Sequence, residues 1–431
     1  MGSSPARRPR PRPQSRRGSR PRPRIVIVGA GFAGLAAARH LGREHAVTVI
    51  DPTPWFEWLP NIHELLSGVK RPADLRLPRR RLVTRAGHRF VRAAASEIDA
   101  GSGRVMTSDD RRFEFDACIV ATGGVNETFG VRGAGQHALP FKSVDDCAAI
   151  GRRLTALAKA TGRKSVVIVG GGLEGIEALG EILRRYRQID GLGITVVEAG
   201  PRLLPGAPAA LDAAVRKHCA DLAVRFVTGS PVNAITRTQV QLGSGEKLRS
   251  NLTIWTGGVA PPRLLLDSGL ADEPGQWAPV TRELLSRRFE NVFVAGDAAR
   301  LPRPLAKQAY YALQMGACAA DNAARLLAGR RLRDFKPSAK PMLIAFGDLD
   351  TFLVSGRSVV ASPALAAAKE AVFQVTMAQL DPPLAPKALL GASARLTGTA
   401  WNLALPTLLS ADARGRLLRA RRLASPPRGD D

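Results

Sequence analysis

From residue 25 onward the chain alternates short runs of apolar, mostly β-branched residues with stretches whose apolar positions recur every three or four residues. Strands and helices taking turns in this way predict a parallel sheet covered by helices. The first run, Ile25-Val26-Ile27-Val28, leads into Gly29-Ala30-Gly31-Phe32-Ala33-Gly34, a helix expected near 32–42, and a strand over 46–50 closing on Asp51. The pattern returns as Val166-Val167-Ile168-Val169, Gly170-Gly171-Gly172-Leu173-Glu174-Gly175 and a strand ending in Glu198, so a second unit occupies roughly 163–200. Three further apolar runs end in small-residue turns: Ile119-Val120 before Ala121-Thr122-Gly123, Ile254-Trp255 before Thr256-Gly257-Gly258, and Val292-Phe293-Val294 before Ala295-Gly296-Asp297. A helix is expected around 306–328, and an Ala/Leu-rich region with Pro breaks follows from about 340.

In each Gly-rich copy the first glycine turns the chain sharply out of a buried strand, the second leaves room for a pyrophosphate, and the third lets helix pack on strand. The helix that follows offers free N–H groups and a positive dipole end to phosphate. Asp51 and Glu198 close their strands about where a carboxylate accepts hydrogen bonds from a ribose 2′-hydroxyl. Two complete copies in order imply two dinucleotides on one chain, and hence electron transfer between them. A carboxylate at 198 favours NADH over NADPH because it repels a 2′-phosphate, while Arg202 nearby pulls the other way.

Length changes the picture only in allowing two or three domains for 431 residues. Charge changes it more: the net charge is +26, and residues 1–24 hold nine arginines and no acid. That Arg/Pro-rich tail, 1–23, cannot build a core and is expected to be disordered. It lacks the apolar stretch of an export signal. Cys118, Cys147, Cys219 and Cys318 are scattered with neither CxxC nor zinc spacing, so no metal and no structural disulfide is expected, in keeping with a reducing, cytoplasmic setting. No uncharged apolar run reaches the ~20 residues of a membrane span. The segment 396–409 carries Trp401, is broken by Pro406 and precedes Arg414, Arg416, Arg419, Arg421 and Arg422. Two readings stand for it: a contact with anionic lipid on the inner face of the membrane, or a core helix with a solvated basic end.

Taken together, the two Gly-rich units, Ala121-Thr122-Gly123 and Ala295-Gly296-Asp297 resemble the two-dinucleotide FAD/NAD(P)-dependent pyridine nucleotide oxidoreductases over roughly residues 24–335. The resemblance implies an α/β fold with two Rossmann-like dinucleotide-binding domains. Its parts would be an FAD-binding domain of residues 24–142 and 258–338, an inserted NAD(P)H-binding domain of 143–257, and a mostly helical C-terminal region, 339–431. It implies non-covalent FAD held by Gly29, Gly31, Phe32, Ala33, Gly34, Asp51, Ala121, Thr122, Gly123, Gly296, Asp297 and Gln308. NADH, or NADPH, would lie on Gly170, Gly172, Gly175 and Glu198.

Disulfide reductases of this family carry a cysteine pair after the first Gly-rich unit, where this chain has the sulfur-free Trp55-Phe56-Glu57-Trp58-Leu59-Pro60-Asn61-Ile62-His63-Glu64. That stretch and Trp255-Thr256-Gly257-Gly258-Val259 are similar to type II NADH dehydrogenases, which implies a quinone as acceptor. Pro304-Leu305-Ala306-Lys307-Gln308-Ala309-Tyr310 looks more like the apoptosis-inducing-factor-2-like quinone reductases, and implies that Lys307 and Glu177 act in catalysis, Glu177 as a proton relay. Plainer readings stand beside these: a helix acid facing the dipole for Glu177, a surface charge for Lys307, and packing roles for His63, Tyr310 and Tyr311. A ferredoxin-like carrier is an alternative acceptor, steered by the basic surface. A redox-sensing flavoprotein binding nucleic acid through its tail is a second alternative, but no reader motif supports nucleic acid. The residues leave a homodimer open.

Overall fold

The computed structural model describes residues 21–338, 340–382 and 420–424. The tail of residues 1–20 and the Trp401 segment lie outside the described residues, so the expectations placed on them are not addressed by it. Two parallel sheets form the body, each built around one Gly-rich unit. The first runs Val292–Val294, Ala117–Val120, Arg24–Val28, Ala46–Asp51 and Arg89–Arg92, with every pairing parallel. Its middle is two-sided core, as a continuous β-branched run requires: Ile25, Ile27, Ile119 and Phe293 are fully buried. Val28 sits opposite both Ile50 and Val120, so Gly29 emerges where three strands end together.

The second sheet runs Ala138–Pro140, Leu252–Trp255, Lys164–Val169, Leu192–Glu198 and Val224–Thr228, again all parallel. Each sheet has its own three-stranded antiparallel meander, Ala95–Asp99 to Arg112–Glu114 for the first and Val232–Ile235 to Lys247–Arg249 for the second. Helix Phe32–His40 follows the first Gly-rich turn and lies against helix Ala309–Leu327. A Cβ at Gly316 would overlap the Ala33 carbonyl, so that glycine lets the two backbones meet. The expected helix near 306–328 begins later, at Ala309, because Pro304 and an extended Gln308 precede it.

Among the described residues, the C-terminal region is only partly helical. Met342–Phe346, Asp350–Ser355, Ser358–Ala361 and Arg421–Ala424 form a four-stranded antiparallel sheet, and a single described helix, Leu365–Leu380, follows the third strand. The expectation of a mostly helical region took its cue from the abundance of Ala and Leu. The strands between 342 and 361 instead carry Ile344, Phe346, Thr351, Phe352, Val354, Val359 and Val360, and Gly347 and Gly356 turn them with φ of +58° and +55°. No helix among the described residues is long and apolar enough to cross a membrane.

Candidate functional site

The two Gly-rich turns agree down to individual hydrogen bonds. Gly29 adopts φ +97° and donates its N–H to Ile50 O at 2.8 Å; Gly170 adopts φ +109° and donates to Val197 O at 2.8 Å. A Cβ at Gly34 would overlap the Gly29 carbonyl, and one at Gly175 the Gly170 carbonyl. Gly31 and Gly172 face open space, with nothing within 4 Å of an added Cβ. The acids match as well. Asp51 Oδ2 accepts from Ala30 N at 2.8 Å and Oδ1 from Thr53 N at 2.9 Å. Glu198 Oε2 accepts from Gly171 N and Oε1 from Gly200 N, both at 2.7 Å. In both copies the carboxylate therefore ties the glycine turn to the end of the second strand and keeps lone pairs for a further donor.

The copies differ beside the acid. Asp51 is also ion-paired to Arg79, whose Nε donates to Ala30 O at 3.0 Å. Arg202, the residue that could have accepted a 2′-phosphate near Glu198, spends its guanidinium on the backbone carbonyls of Leu204, Pro205 and Ala207 at 3.0, 2.8 and 2.8 Å. It is committed to its own loop.

Between the turns lie the small-residue segments. Ala121 donates to Val28 O at 2.7 Å, Gly123 adopts φ +65° and faces open space, and buried Thr122 Oγ1 has no hydrogen-bond partner. Asp297 sits in the short turn Gly296–Ala298, and burial pushes its carboxyl upward. Lys307 Nζ donates to Asp297 O at 2.5 Å and stands 3.0 Å above the centroid of Trp277. The cost of leaving water brings this ammonium down to about 8. Gln308 stands at the N-terminal boundary of helix Ala309–Leu327 without a side-chain capping bond, and its buried Oε1 has no partner. Phe32 packs edge-on against Phe56 and Trp58 at 5.0 and 5.4 Å. Open space over Gly31, Gly123 and Gly172, with unpartnered polar atoms on Thr122 and Gln308, suits one bound dinucleotide per unit.

Glu177 lies on the second Gly-rich helix, Leu173–Tyr186, two residues past Gly175, and faces inward. Its Oε1 accepts from Lys369 Nζ at 2.5 Å and Ala345 N at 3.1 Å, while Oε2 lies 3.5 Å from His63 Nδ1. Burial raises this carboxyl and the Lys369 ammonium partly restores the charged form. His63 is fully enclosed, and desolvation together with Lys369, Arg184 and Lys70 holds it far below its usual value, hence neutral. One turn on, buried Glu181 accepts from Ser67 Oγ and is pushed up to about 7. Glu177 and Lys307 are therefore not one cluster: Glu177 belongs to a buried acid–base group and Lys307 to the Asp297 turn.

Sequence reasoning missed three charges. Lys369 and Glu181 complete the Glu177 group, and Lys142 donates to Glu174 at 2.7 and 2.6 Å at the mouth of the second Gly-rich helix. Tyr310 and Tyr311 pack on each other at 4.3 Å, as a packing role predicts. All four cysteines are free thiols; Cys118 is buried and pushed up by burial, so thiol chemistry has no reactive centre there. No group of metal-ligating side chains occurs among the described residues.

Two matching glycine-rich turns, each on its own parallel sheet, define an α/β oxidoreductase of the two-dinucleotide type. The chain belongs to the pyridine nucleotide-disulphide oxidoreductase family, whose sequence profile matches residues 23–316. It is similar to the type II NADH:quinone oxidoreductase of Staphylococcus epidermidis, at 28% identity over 370 residues, covering 79% of this chain and 92% of the relative. The Staphylococcus aureus enzyme of the same name is 26% identical over 355 residues, covering 76% and 88%. Among solved structures, the fold matches NDH2 of Plasmodium falciparum with a TM-score of 0.77 at 15% identity, over 88% of this chain and 99% of that one. It matches the sulfide:quinone oxidoreductase of Aquifex aeolicus at 0.69 and 20% identity, over 77% and 83%.

Proposed function

We propose that this chain takes hydride from NADH on the second unit, holds FAD on the first, and delivers two electrons to a quinone. The observation that carries this reading is the buried Glu177–His63–Lys369 group, a sulfur-free acid–base site where family members with thiol chemistry have cysteines. Quinone reduction consumes protons as well as electrons, and a carboxyl raised by burial is suited to hold one. The staphylococcal relatives named as quinone reductases support the same acceptor.

FAD would lie across Gly29–Gly34, with its pyrophosphate over Gly31, its ribose at Asp51 and its ribityl end at Asp297. When bound, it supplies the step from a two-electron hydride donor to the acceptor. Gly170, Gly172 and Gly175 cradle the NADH pyrophosphate, and Glu198 receives its ribose. Lys307 and the start of helix Ala309–Leu327 place positive charge beside the Asp297 turn, where negative charge on a bound ring is stabilised. Glu177 holds the proton, with neutral His63 beside it and Lys369 limiting how far its carboxyl rises. Peripheral contact with anionic lipid is part of the proposal, since a lipid-soluble acceptor is met at a membrane surface. Steady NADH consumption with a short-chain quinone, and none with a ferredoxin, is the test; the reverse pattern would favour the carrier protein.

Because Glu198 repels a 2′-phosphate and Arg202 is occupied, kcat/KM for NADH should exceed that for NADPH by about 10²-fold, the size of a typical charge-based discrimination. Arg202→Ala should leave that ratio unchanged, whereas removal of a guanidinium that held a 2′-phosphate would widen it; a ratio near one in the parent would contradict the assignment. The Lys307 ammonium is charged below about 8 and neutral above it. Flavin reduction by NADH should therefore slow as pH rises through that value, and Lys307→Met should remove this limb. A limb unchanged in Lys307→Met assigns it to another group.

A further inference from the structure

Helix Leu365–Leu380 buries its charges. Its two charged side chains, Lys369 and Glu370, both point into the protein, and Glu370 is 2% exposed, whereas Val372 and Val375 are each 56% exposed. The helix begins without a capping side chain and has neither an acid in its first turn nor a base in its last. Phe373 and Leu380 are buried and Met377 packs on the core, so the inward face is apolar only in the second half of the helix. In the first half the inward positions are the charged Lys369 and Glu370, and the dipole does not fix the rotation. A turn of about 100°, one residue's worth, that brought Val372 inward would carry Glu370 out of the interface and Lys369 off Glu177.

The observed rotation is held by a buried ionic triad. Lys70 Nζ donates to Glu370 Oε2 at 2.6 Å and lies 3.3 Å from Glu64 Oε2, with all three residues buried. The same ammonium stands 4.3 Å from the centroid of Phe373. Further donors reach both carboxylates: Asn61 Nδ2 donates to Glu64 Oε2 at 3.1 Å and Gln374 Nε2 to Glu370 Oε1 at 2.7 Å. A buried ion pair adds little net stability against apolar residues of the same shape, and its best-attested use is to fix register. Here the neighbour of Glu370 is Lys369, the residue that reaches Glu177.

We infer that the Glu64–Lys70–Glu370 triad sets the rotation of this helix and thereby keeps Lys369 against Glu177. The three are positioning residues for the proton chemistry proposed above, on which the inference rests. Glu177 is faced by Lys369 from this helix, by His63 and Glu64 from the segment after Trp58, by Glu181 and Arg184 from its own helix, and by the Ala345 N–H. Of these, only Lys369 moves with the helix.

The test uses the full, FAD-loaded chain with Glu64→Gln, Lys70→Met and Glu370→Gln combined, which removes the charges without adding an apolar side chain to the buried face, its folding checked by the bound-flavin spectrum and Tm. Maleimide labelling of Val372→Cys, read by mass spectrometry at that site, reports the rotation without reference to activity. Labelling should be at least about tenfold slower once the triad is removed, because the valine face turns inward and a thiol reacts according to its exposure. In parallel, the pH midpoint of quinone-driven flavin reoxidation should rise by about one unit in Lys369→Met, the effect of losing one close opposite charge. In the triad variant it should rise by a similar amount, with little further change on adding Lys369→Met. If the combined variant does not fold, Glu370→Gln serves for both readouts. Parental labelling with a parental midpoint overturns the inference. A midpoint that survives Glu177→Gln faults the relay reading instead, and the labelling rate then decides the positioning claim alone.

Discussion

Replacing Glu177 by glutamine should leave the reduction of bound flavin by NADH near its parental rate and slow reoxidation by a short-chain quinone by about 10²–10⁴-fold, the usual contribution of a positioned acid or base. The split is expected because Glu177 is enclosed beneath Ala345, His63 and Lys369 rather than lining the open glycine cradle at Gly172. Glutamine keeps the acceptor for the Ala345 N–H and the shape of the site but cannot carry the proton. It also leaves the Lys369 ammonium without its counter-charge, and a buried cation stripped of its partner costs about 3–5 kcal/mol. Part of the lost activity should therefore return in Glu177→Gln, Lys369→Met, through recovered stability and not through recovered proton transfer. Separate stopped-flow records of the two half-reactions distinguish these effects. Equal slowing of both halves would place Glu177 in NADH binding, and no slowing of either would make it structural.

The second large effect belongs to the glycines that hold helix to strand. In Gly34→Val the new side chain would begin where the Gly29 carbonyl already stands, so the helix must withdraw from the strand end. Overpacking of this kind typically costs about 1–3 kcal/mol, and it opens the cradle at the same time. The purified variant should be colourless, with FAD below about a tenth of one per chain, since the pyrophosphate then loses its turn and its helix terminus together. Gly175→Val makes the same overlap with Gly170 in the other unit. It should keep its colour and lose reduction by NADH. Opposite phenotypes from equivalent substitutions would assign one dinucleotide to each unit; loss of colour in both would contradict that division.

These two predictions also separate what the chain discloses locally from what it hides. The Gly-rich turns were legible because each requirement is met within a few residues: a positive φ at Gly29 and Gly170, a carbonyl in van der Waals contact at Gly34 and Gly175, an acid at the next strand end. No other residue type satisfies those backbone constraints. Even so, the hydrogen bonds that Asp51 accepts from the Ala30 N–H and Glu198 from the Gly171 N–H show both acids bracing the turn, which no motif states. Lys70 and Glu370 meet across 300 positions, and Lys369 reaches Glu177 across 192. In an Ala/Val helix, a Lys-Glu step has the look of solvated surface, and only the fold turns it inward. The four-stranded sheet of the C-terminal region was hidden for a related reason: its strands are short, and the Ala/Leu-rich residues after them dominate the composition. Arg202 shows the reverse case, a residue whose position suggested a phosphate ligand and whose guanidinium proves to be spent on three carbonyls of its own loop.

The central claim is that one chain carries hydride from NADH on its second Gly-rich unit, through FAD on its first, to a quinone. An anaerobic stopped-flow experiment on the purified chain addresses it directly. The protein should be yellow with one FAD per chain, NADH should bleach it in a single fast phase, and a short-chain quinone should restore the colour many times faster than oxygen does. A chain that takes up no FAD, or one whose NADH-reduced flavin is reoxidised no faster by quinone than by oxygen, would contradict it.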